Sequence, residues 1–376
     1  MQPLTYTYEE LVAHKENGKV PKEVIEKLCA DADEILEKPT LKVTDIKLPR
    51  PSGNIHDYTS ISGYRWPNPD TPDGLPWVRR DGHHNPNTAR NPRGAAPYGR
   101  VHRLALAALY FPERAKEYAE YANRQMYDWF LNPESFMKPN AKYAQSIPGV
   151  CDGCSPGIID FANAHLLFDG MGILEEMGLL DMDIREGVRQ WFVEFTNWLM
   201  TDDNIGIQEG SAADNHGAWY HEQILSAAIF CEREPLVRRV LRSSYVLRTK
   251  GKIKPDGSQP HELLRATPLG YSFYALDALI IVANLAERRG FGEYWGIDED
   301  RGESILKRAV DFTYPYVLDP KSCPYPDLHH GSYGPRILKM LASVNKRHPY
   351  DNYEELIAPF VKDEKFDELW RLEPVL

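Results

Sequence analysis

The sequence predicts an all-α protein, and three observations carry that expectation. From Gly99 onward apolar residues recur at helical spacing, which marks candidate helices at 100–110, 112–131, 157–178, 183–200, 216–232, 234–249, 268–289, 302–317, 333–345 and 353–371. Their connections are short, with Pro or Gly at many joints, so consecutive helices should be antiparallel neighbours. Alternating runs of Val, Ile and Thr are nearly absent, which leaves no place for a sheet domain. Helices of similar length joined this way bury one another as an irregular bundle or as a closed ring of hairpins. No sequence repeat distinguishes the two.

Ahead of these helices the chain has a different character. Residues 8–37 read as two short helices broken near Gly18 and Pro21. Residues 38–98 are rich in Pro (51, 67, 69, 72, 76, 86, 92, 97) and show no long helical period. Tyr58, Tyr64, Trp66 and Trp77 make this stretch too aromatic for a linker, so it reads as an ordered extended segment with turns.

The totals bound the function. With 376 residues the chain forms one large domain or two modest ones, and 42% apolar residues suffice for a sizeable core. Twenty-one Tyr and eight Trp suit a carbohydrate-binding cleft as well as a core. No run of 18 apolar residues suggests a membrane span. The opening residues lack the charged-then-apolar pattern of a secretory leader, which points to a cytoplasmic protein or a mature exported form. A net charge of −11 argues against nucleic acid and anionic membrane as partners.

Charge is unevenly spread. From Arg65 to Arg103 the chain carries seven arginines (65, 79, 80, 90, 93, 100, 103) against three aspartates (70, 73, 81). A basic stretch on an acidic protein is what capture of an anionic ligand requires, because local potential governs capture. Arginines paired with neighbouring acidic helices would explain it equally well. The five cysteines include Cys151-Asp-Gly-Cys154, but no second pair or nearby His completes a zinc site, and incidental thiols are the favoured reading over a redox pair or a small-loop disulfide. His83-His84 and His329-His330 lack neighbouring ligand spacing, and the calcium-like run Asn68 to Gly74 has prolines and no terminal Glu.

Two helix mouths concentrate chemistry. Asp214 is placed to N-cap a helix that opens Asn215-His216-Gly217-Ala218-Trp219-Tyr220, which projects Asn215 and His216 from the mouth. Thr267-Pro268 starts a second helix, with the Thr hydroxyl as expected cap and Pro at the first position. Arg265 and Tyr271 flank that mouth. Asn, His, Arg and Tyr form a plausible active-site set provided the fold brings the two mouths together.

At these residues the chain resembles the alginate lyase superfamily of polysaccharide lyases, nearest its glucuronan and alginate lyase branch. The resemblance runs through Asp214 to Tyr220, Asp256 to Arg265 and Tyr271. Two further stretches agree: Tyr64-Arg65-Trp66-Pro67 with Asp73 to Gly82, and Asn140 to Gln145 with Gly157 to Asp160. It departs from the pattern at Asp214, where the family has Asn, at His221, where it has an acidic residue, and at Ala266-Thr267-Pro268. The resemblance implies an incomplete (α/α) toroid of about six to seven helical hairpins, here a single domain over 1–376 with 38–98 as an extended loop.

The resemblance also implies β-elimination on a β-1,4-linked polyuronate, which leaves a 4,5-unsaturated end. Asn215, His216 and Arg265 would neutralise the uronate carboxylate and Tyr271 would serve as base and acid. Arg265 would favour the Tyr271 phenolate, and for guluronate His216 would be the better base. Substrate contacts are expected from Tyr64, Trp66, Arg79, Arg80, His84, Asn85, Tyr143, Gln145, Trp219 and Tyr274. No metal or other cofactor is required. The expected location is periplasmic or secreted as a mature form, with the cytoplasm as the alternative. The rival readings are a glycoside hydrolase using two of Asp152, Asp160, Glu209 and Asp214, and a polyuronate-binding protein without catalysis.

Overall fold

In the computed structural model of the protein, residues 1–88, 93–298, 303–328, 333–361 and 369–376 are described. Helix α1 (Tyr8–Glu16) opens with a capping box in which the Thr7 hydroxyl and the Glu10 carboxylate each bind the other residue's amide. It is followed by α2 (Lys22–Leu36), α3 (Ala96–Tyr110), α4 (Ala115–Phe130), α5 (Ala164–Glu176), α6 (Met182–Thr201) and the short α7 (Gly206–Gly210). Then come α8 (Asn215–Phe230), α9 (Glu234–Ser244), α10 (Pro260–Leu263), α11 (Pro268–Glu287), α12 (Ile305–Leu318), α13 (Gly334–Asn345) and α14 (Tyr353–Val361).

Helices α3, α5, α8, α11 and α13 touch in succession and form the inner wall of a toroid, while α2, α4, α6, α9 and α12 back them. The burial pattern explains the division. Every residue of α8 except His216 is buried, and α11 is buried along nearly its whole length. Helix α11, apolar on nearly all sides, must be inside, whereas α8 also buries polar Glu222 and Gln223, each with a hydrogen-bond partner. By length and composition α11 is apolar enough to cross a membrane, yet it serves as a core helix here. The backing helix α9, in contrast, buries only one stripe, formed by Leu236, Val237, Val240, Leu241 and Ser244.

The chain ends pack between inner helices. Asp169 of α5 accepts from the Leu4 and Thr5 amides at 2.5 and 3.1 Å and from the Thr5 hydroxyl at 2.6 Å. Asn284 of α11 donates to the Thr5 carbonyl at 2.8 Å, and His102 of α3 pairs with Glu373 at 2.9 Å. Residues from both ends of the sequence thereby join three inner helices.

Three helix expectations are corrected. The span 157–178 is not continuous: a 3-10 turn (Ser155–Phe161) ends at Asn163, whose φ of 67° is left-handed, and α5 begins afresh. The buried Glu222 carboxylate of α8 accepts from the amides of Asn163, Ala164 and His165, so an anion caps this new start. The span 234–249 widens into a π-helical turn over Tyr245–Lys250. At the mouth of α11 Pro268 sits in the first turn as expected, but the Thr267 hydroxyl makes no capping bond. Of the span 353–371, residues 362–368 lie outside the described residues.

The extended segment is held by two small β pairings. Strand β1 (Thr59–Ile61) runs parallel to β4 (Tyr143–Ser146), and β2 (Arg65–Trp66) pairs antiparallel with β3 (Val78–Arg79). Asp160 organises the first from below, accepting from Tyr58, Ser60 and Gln145 side chains at 3.0, 2.6 and 3.0 Å. The calcium-like run is an ordinary turn in which Asn68 and Asp73 cap the amides of Asp70 and Leu75.

Candidate active site

The mouths of α8, α11 and α13 and the extended segment enclose an open cleft of about 720 Å³. Asn215, His216, Arg265 and Tyr271 all line it, so the two mouths singled out from the sequence meet. Asp214 caps α8 by accepting from the His216 amide at 3.2 Å.

Each member of the first mouth is anchored by a buried acid. His216 Nδ1 lies 2.6 Å from Oε1 of Glu209, which comes from α7 and is itself buried. Burial works against the imidazolium, but the Glu209 hydrogen bond and charge outweigh it and raise the His216 pKa above 6.5. Nδ1 is thus occupied and Nε2 is left for the cleft. Asn215, expected to project from the mouth, is itself buried, because its Nδ2 donates to Glu262 at 2.8 Å. Glu262 also pairs with Lys252 at 3.0 Å, with side chains 0% and 1% exposed respectively. Burial lowers the Lys252 pKa against the pull of that carboxylate.

The second mouth is built around Arg265. Its guanidinium carbon lies 3.8 Å from the centroid of the Tyr271 ring, a cation–π contact. Its Nη2 and Nε donate to the two oxygens of Asp81 at 2.7 and 3.1 Å, and the Ala266 amide donates to the same carboxylate at 3.0 Å. Against burial, these bonds and Arg79 hold the Asp81 carboxyl well below the usual carboxylate range. The Tyr271 and Tyr64 hydroxyls share a hydrogen bond of 2.8 Å. Arg265 was expected to favour the phenolate. In the structure burial and the bond to Tyr64 dominate, and the Tyr271 pKa is raised far above 10 although Arg265 pulls it down.

Of the expected substrate contacts, Tyr64, Arg79, His84, Gln145 and Tyr274 line the cleft. Five do not. Trp219 is 1% exposed and supports Tyr274 from inside the core, ring centroids 5.0 Å apart. Asn85 is also 1% exposed and donates to the Arg65 carbonyl at 2.9 Å, so it shapes the loop. Trp66 donates to the His83 carbonyl and carries Arg80 over its ring at 5.5 Å, away from the cleft wall. Tyr143 faces a neighbouring groove of about 510 Å³ on the other side of β4.

Other lining residues were not singled out as contacts. Arg65 and Arg93 belong to the basic stretch, and neither side chain makes a hydrogen bond or ion pair among the described residues; Arg93 lies near Tyr274 and Arg65 near Cys154. Tyr333 and Arg336 come from the mouth of α13; Tyr333 donates to Asp327 and Arg336 to the Gly270 carbonyl at 2.9 and 3.2 Å. The basic stretch therefore divides: Arg103 pairs with Asp31 at 3.0 Å, Arg100 bonds the Pro39 carbonyl, and Arg90 lies outside the described residues. His329 and His330 also lie outside them. The described cysteines are free thiols, and burial pushes Cys154 up to about 12.

The comparisons with known proteins agree with this architecture. The profile of the family described as alginate lyase matches residues 42–323. No curated protein sequence matches the chain. Among solved structures, an alginate lyase from Bacteroides ovatus superposes with a TM-score of 0.90 at 29% identity, covering 99% of this chain and 98% of that one. Alginate lyase A1-III from Sphingomonas species A1 superposes with a TM-score of 0.57 at 16% identity, covering 94% and 90%. A histidine-to-alanine variant of A1-III complexed with tetrasaccharide gives 0.56 at 16%, covering 93% and 89%.

Proposed function

The chain belongs to the alginate lyase family, and from that premise we propose that it cleaves a β-1,4-linked polyuronate, glucuronan or mannuronate-rich alginate, by β-elimination. Membership makes it a polysaccharide lyase; the substrate and the residue roles are our reading. One observation carries that reading: the Tyr271 hydroxyl and the His216 ring open on the same cleft, each backed by a charged partner.

The roles follow from which groups line the cleft. His216 Nε2 and the Asn215 amide bind the uronate carboxylate and stabilise the enolate that forms when the C5 proton leaves. Tyr271, after its hydroxyl proton has passed to solvent, takes the C5 proton as the phenolate. The electron pair on C5 closes the C4=C5 bond as the C4–O4 bond breaks, and the Tyr271 phenol returns the proton to O4. Asp81 takes Nε and Nη2 of Arg265, which leaves Nη1 to join in neutralising the uronate carboxylate while the guanidinium lies against Tyr271. Its charge beside the ring is the group that favours the phenolate once substrate replaces Tyr64 as hydrogen-bond partner.

Base and acid in one residue require H5 and O4 on the same side of the sugar, as in mannuronate and glucuronate. The anti route for guluronate would use His216 as base, but Glu209 biases that ring toward its charged form. The hydrolase reading is disfavoured because its carboxylates are engaged. Asp160 accepts three side-chain bonds, Glu209 holds His216, Asp214 caps α8, and Asp152 lines the neighbouring groove.

Incubation with glucuronan, polymannuronate and polyguluronate tests this function. Ultraviolet absorbance from the new double bond should rise with at least one of the first two and least with polyguluronate. New reducing ends without that absorbance would mean hydrolysis, and a preference for polyguluronate would overturn the proposed roles.

A further inference from the structure

One buried cation next to the cleft has no carboxylate in contact with it. Arg248, 4% exposed, lies in the π-helical turn over Tyr245–Lys250. Its Nη2 donates to the Gly210 carbonyl at 2.5 Å, its Nη1 to the Ala212 carbonyl, and its Nε to His221 Nδ1 at 3.2 Å. Among the described residues Arg248 makes no salt bridge and its side-chain hydrogen bonds go to neutral acceptors, while the Asp214 and Glu209 carboxylates act on it only from a distance. His221 can accept because burial and the adjacent guanidinium push its pKa down to about 3, which keeps the ring neutral.

Two details tie this arrangement to the cleft. Gly210 and Ala212 follow directly on Glu209, the residue that holds His216 Nδ1. Gly217, directly after His216, leaves the space the guanidinium occupies: a Cβ there would come within 2.5 Å of Arg248 Cζ and 2.2 Å of the Ala212 carbonyl oxygen. The glycine of the Asn-His-Gly run is thus explained by its close approach to Ala212 and Arg248.

We propose that Arg248 is a positioning residue for the elimination, clamping the 209–212 turn so that Glu209 stays on His216 Nδ1 and His216 Nε2 faces the substrate carboxylate. This rests on the role given to His216 above. The π-helical turn brings the guanidinium to two carbonyls and an imidazole at once, and a lysine ammonium is a point donor without that planar fork. The titratable and charged groups facing Arg248 and the His216–Glu209 pair are Asp214, Tyr220, His221, Lys252 and Arg265.

A double-mutant cycle of Arg248→Lys with Glu209→Gln tests it, because coupled residues are non-additive. Arg248→Lys keeps the charge but loses the fork. It should lower kcat/KM by about 10- to 100-fold, the scale expected for a displaced catalytic group, and should cost little more in the Glu209→Gln background. Additive losses, or wild-type rates in Arg248→Lys, would overturn the clamp. If Arg248→Lys melts below the assay temperature, His221→Leu removes one acceptor without a charge and the same cycle is run with it. His216→Ala is the control. An active His216→Ala enzyme would reject the role of His216 itself, whereas an inactive one with a normal Arg248→Lys enzyme would reject only the clamp.

Discussion

Asp81 and Arg265, 184 positions apart, form a two-point ion pair with Nη2–Oδ1 at 2.7 Å and Nε–Oδ2 at 3.1 Å. This pair binds the extended segment to the mouth of α11 and sets the guanidinium 3.8 Å from the Tyr271 ring centroid. Asp81→Asn should lower kcat/KM roughly tenfold by letting Arg265 drift from Tyr271. Because the pair is partly exposed, its effect on stability should be about 1 kcal/mol or less. The Asp81 pKa is depressed in the folded state, so its stabilisation is full above the unfolded value of about 4 and is lost as pH falls through the folded one. Acid denaturation of the two proteins should converge at low pH.

Tyr271→Phe removes the proposed proton carrier while keeping the ring under Arg265. Turnover should fall by about 10²- to 10⁴-fold, the usual span for general acid–base groups. Binding of an oligouronate, measured by calorimetry, should change little. A near-normal rate would remove Tyr271 from the mechanism.

His216 offers a pH test that is separable from chemistry in the Tyr271→Phe background. Its folded pKa is raised, so the charged ring, and the stability it confers, are fully present below the unfolded value of about 6.5 and are lost as pH rises through the folded value. Oligouronate affinity should weaken across that same interval. Glu209→Gln removes the anchoring carboxylate and should move the weakening to lower pH. An unmoved profile would mean that Glu209 does not tune the ring.

Arg65 and Arg93 are the cleft arginines whose side chains make no hydrogen bond or ion pair among the described residues, and a polyuronate carries a carboxylate on every unit. Arg65→Gln and Arg93→Gln should each raise KM by roughly tenfold, the range for a charge-assisted hydrogen bond, with a smaller effect on kcat. Added salt should weaken wild-type binding more than that of either variant. Salt titration of KM provides the measurement.

Glu262 joins Asn215 to Lys252 in a fully buried chain. Glu262→Gln leaves the Lys252 ammonium without its counter-charge and should cost about 3–5 kcal/mol, the range for breaking a buried pair. Chemical denaturation reads this directly. The double variant Glu262→Gln with Lys252→Met should recover part of the loss, because no buried charge is then left unpaired.

The sequence by itself determined the helical class, most helix boundaries and the two mouths, because these rest on local chemistry. The Asp214 cap, the proline opening α11 and the apolar period of each helix act over a few residues. The resemblance also marked Asn215, His216, Arg265 and Tyr271, which the fold brings to one cleft. Tertiary structure decided the partnerships. That Trp219 supports Tyr274 from the core, that Tyr143 faces another groove, and that Arg265 is shared with Asp81 depend on contacts far apart in the chain. Glu209 was legible only as a carboxylate for the rival hydrolase; its proximity to His216 makes it an anchor. Tyr271 shows the limit most clearly. Sequence placed a cation beside it, but only the folded burial and the Tyr64 hydroxyl show that the Tyr271 pKa is raised against that cation.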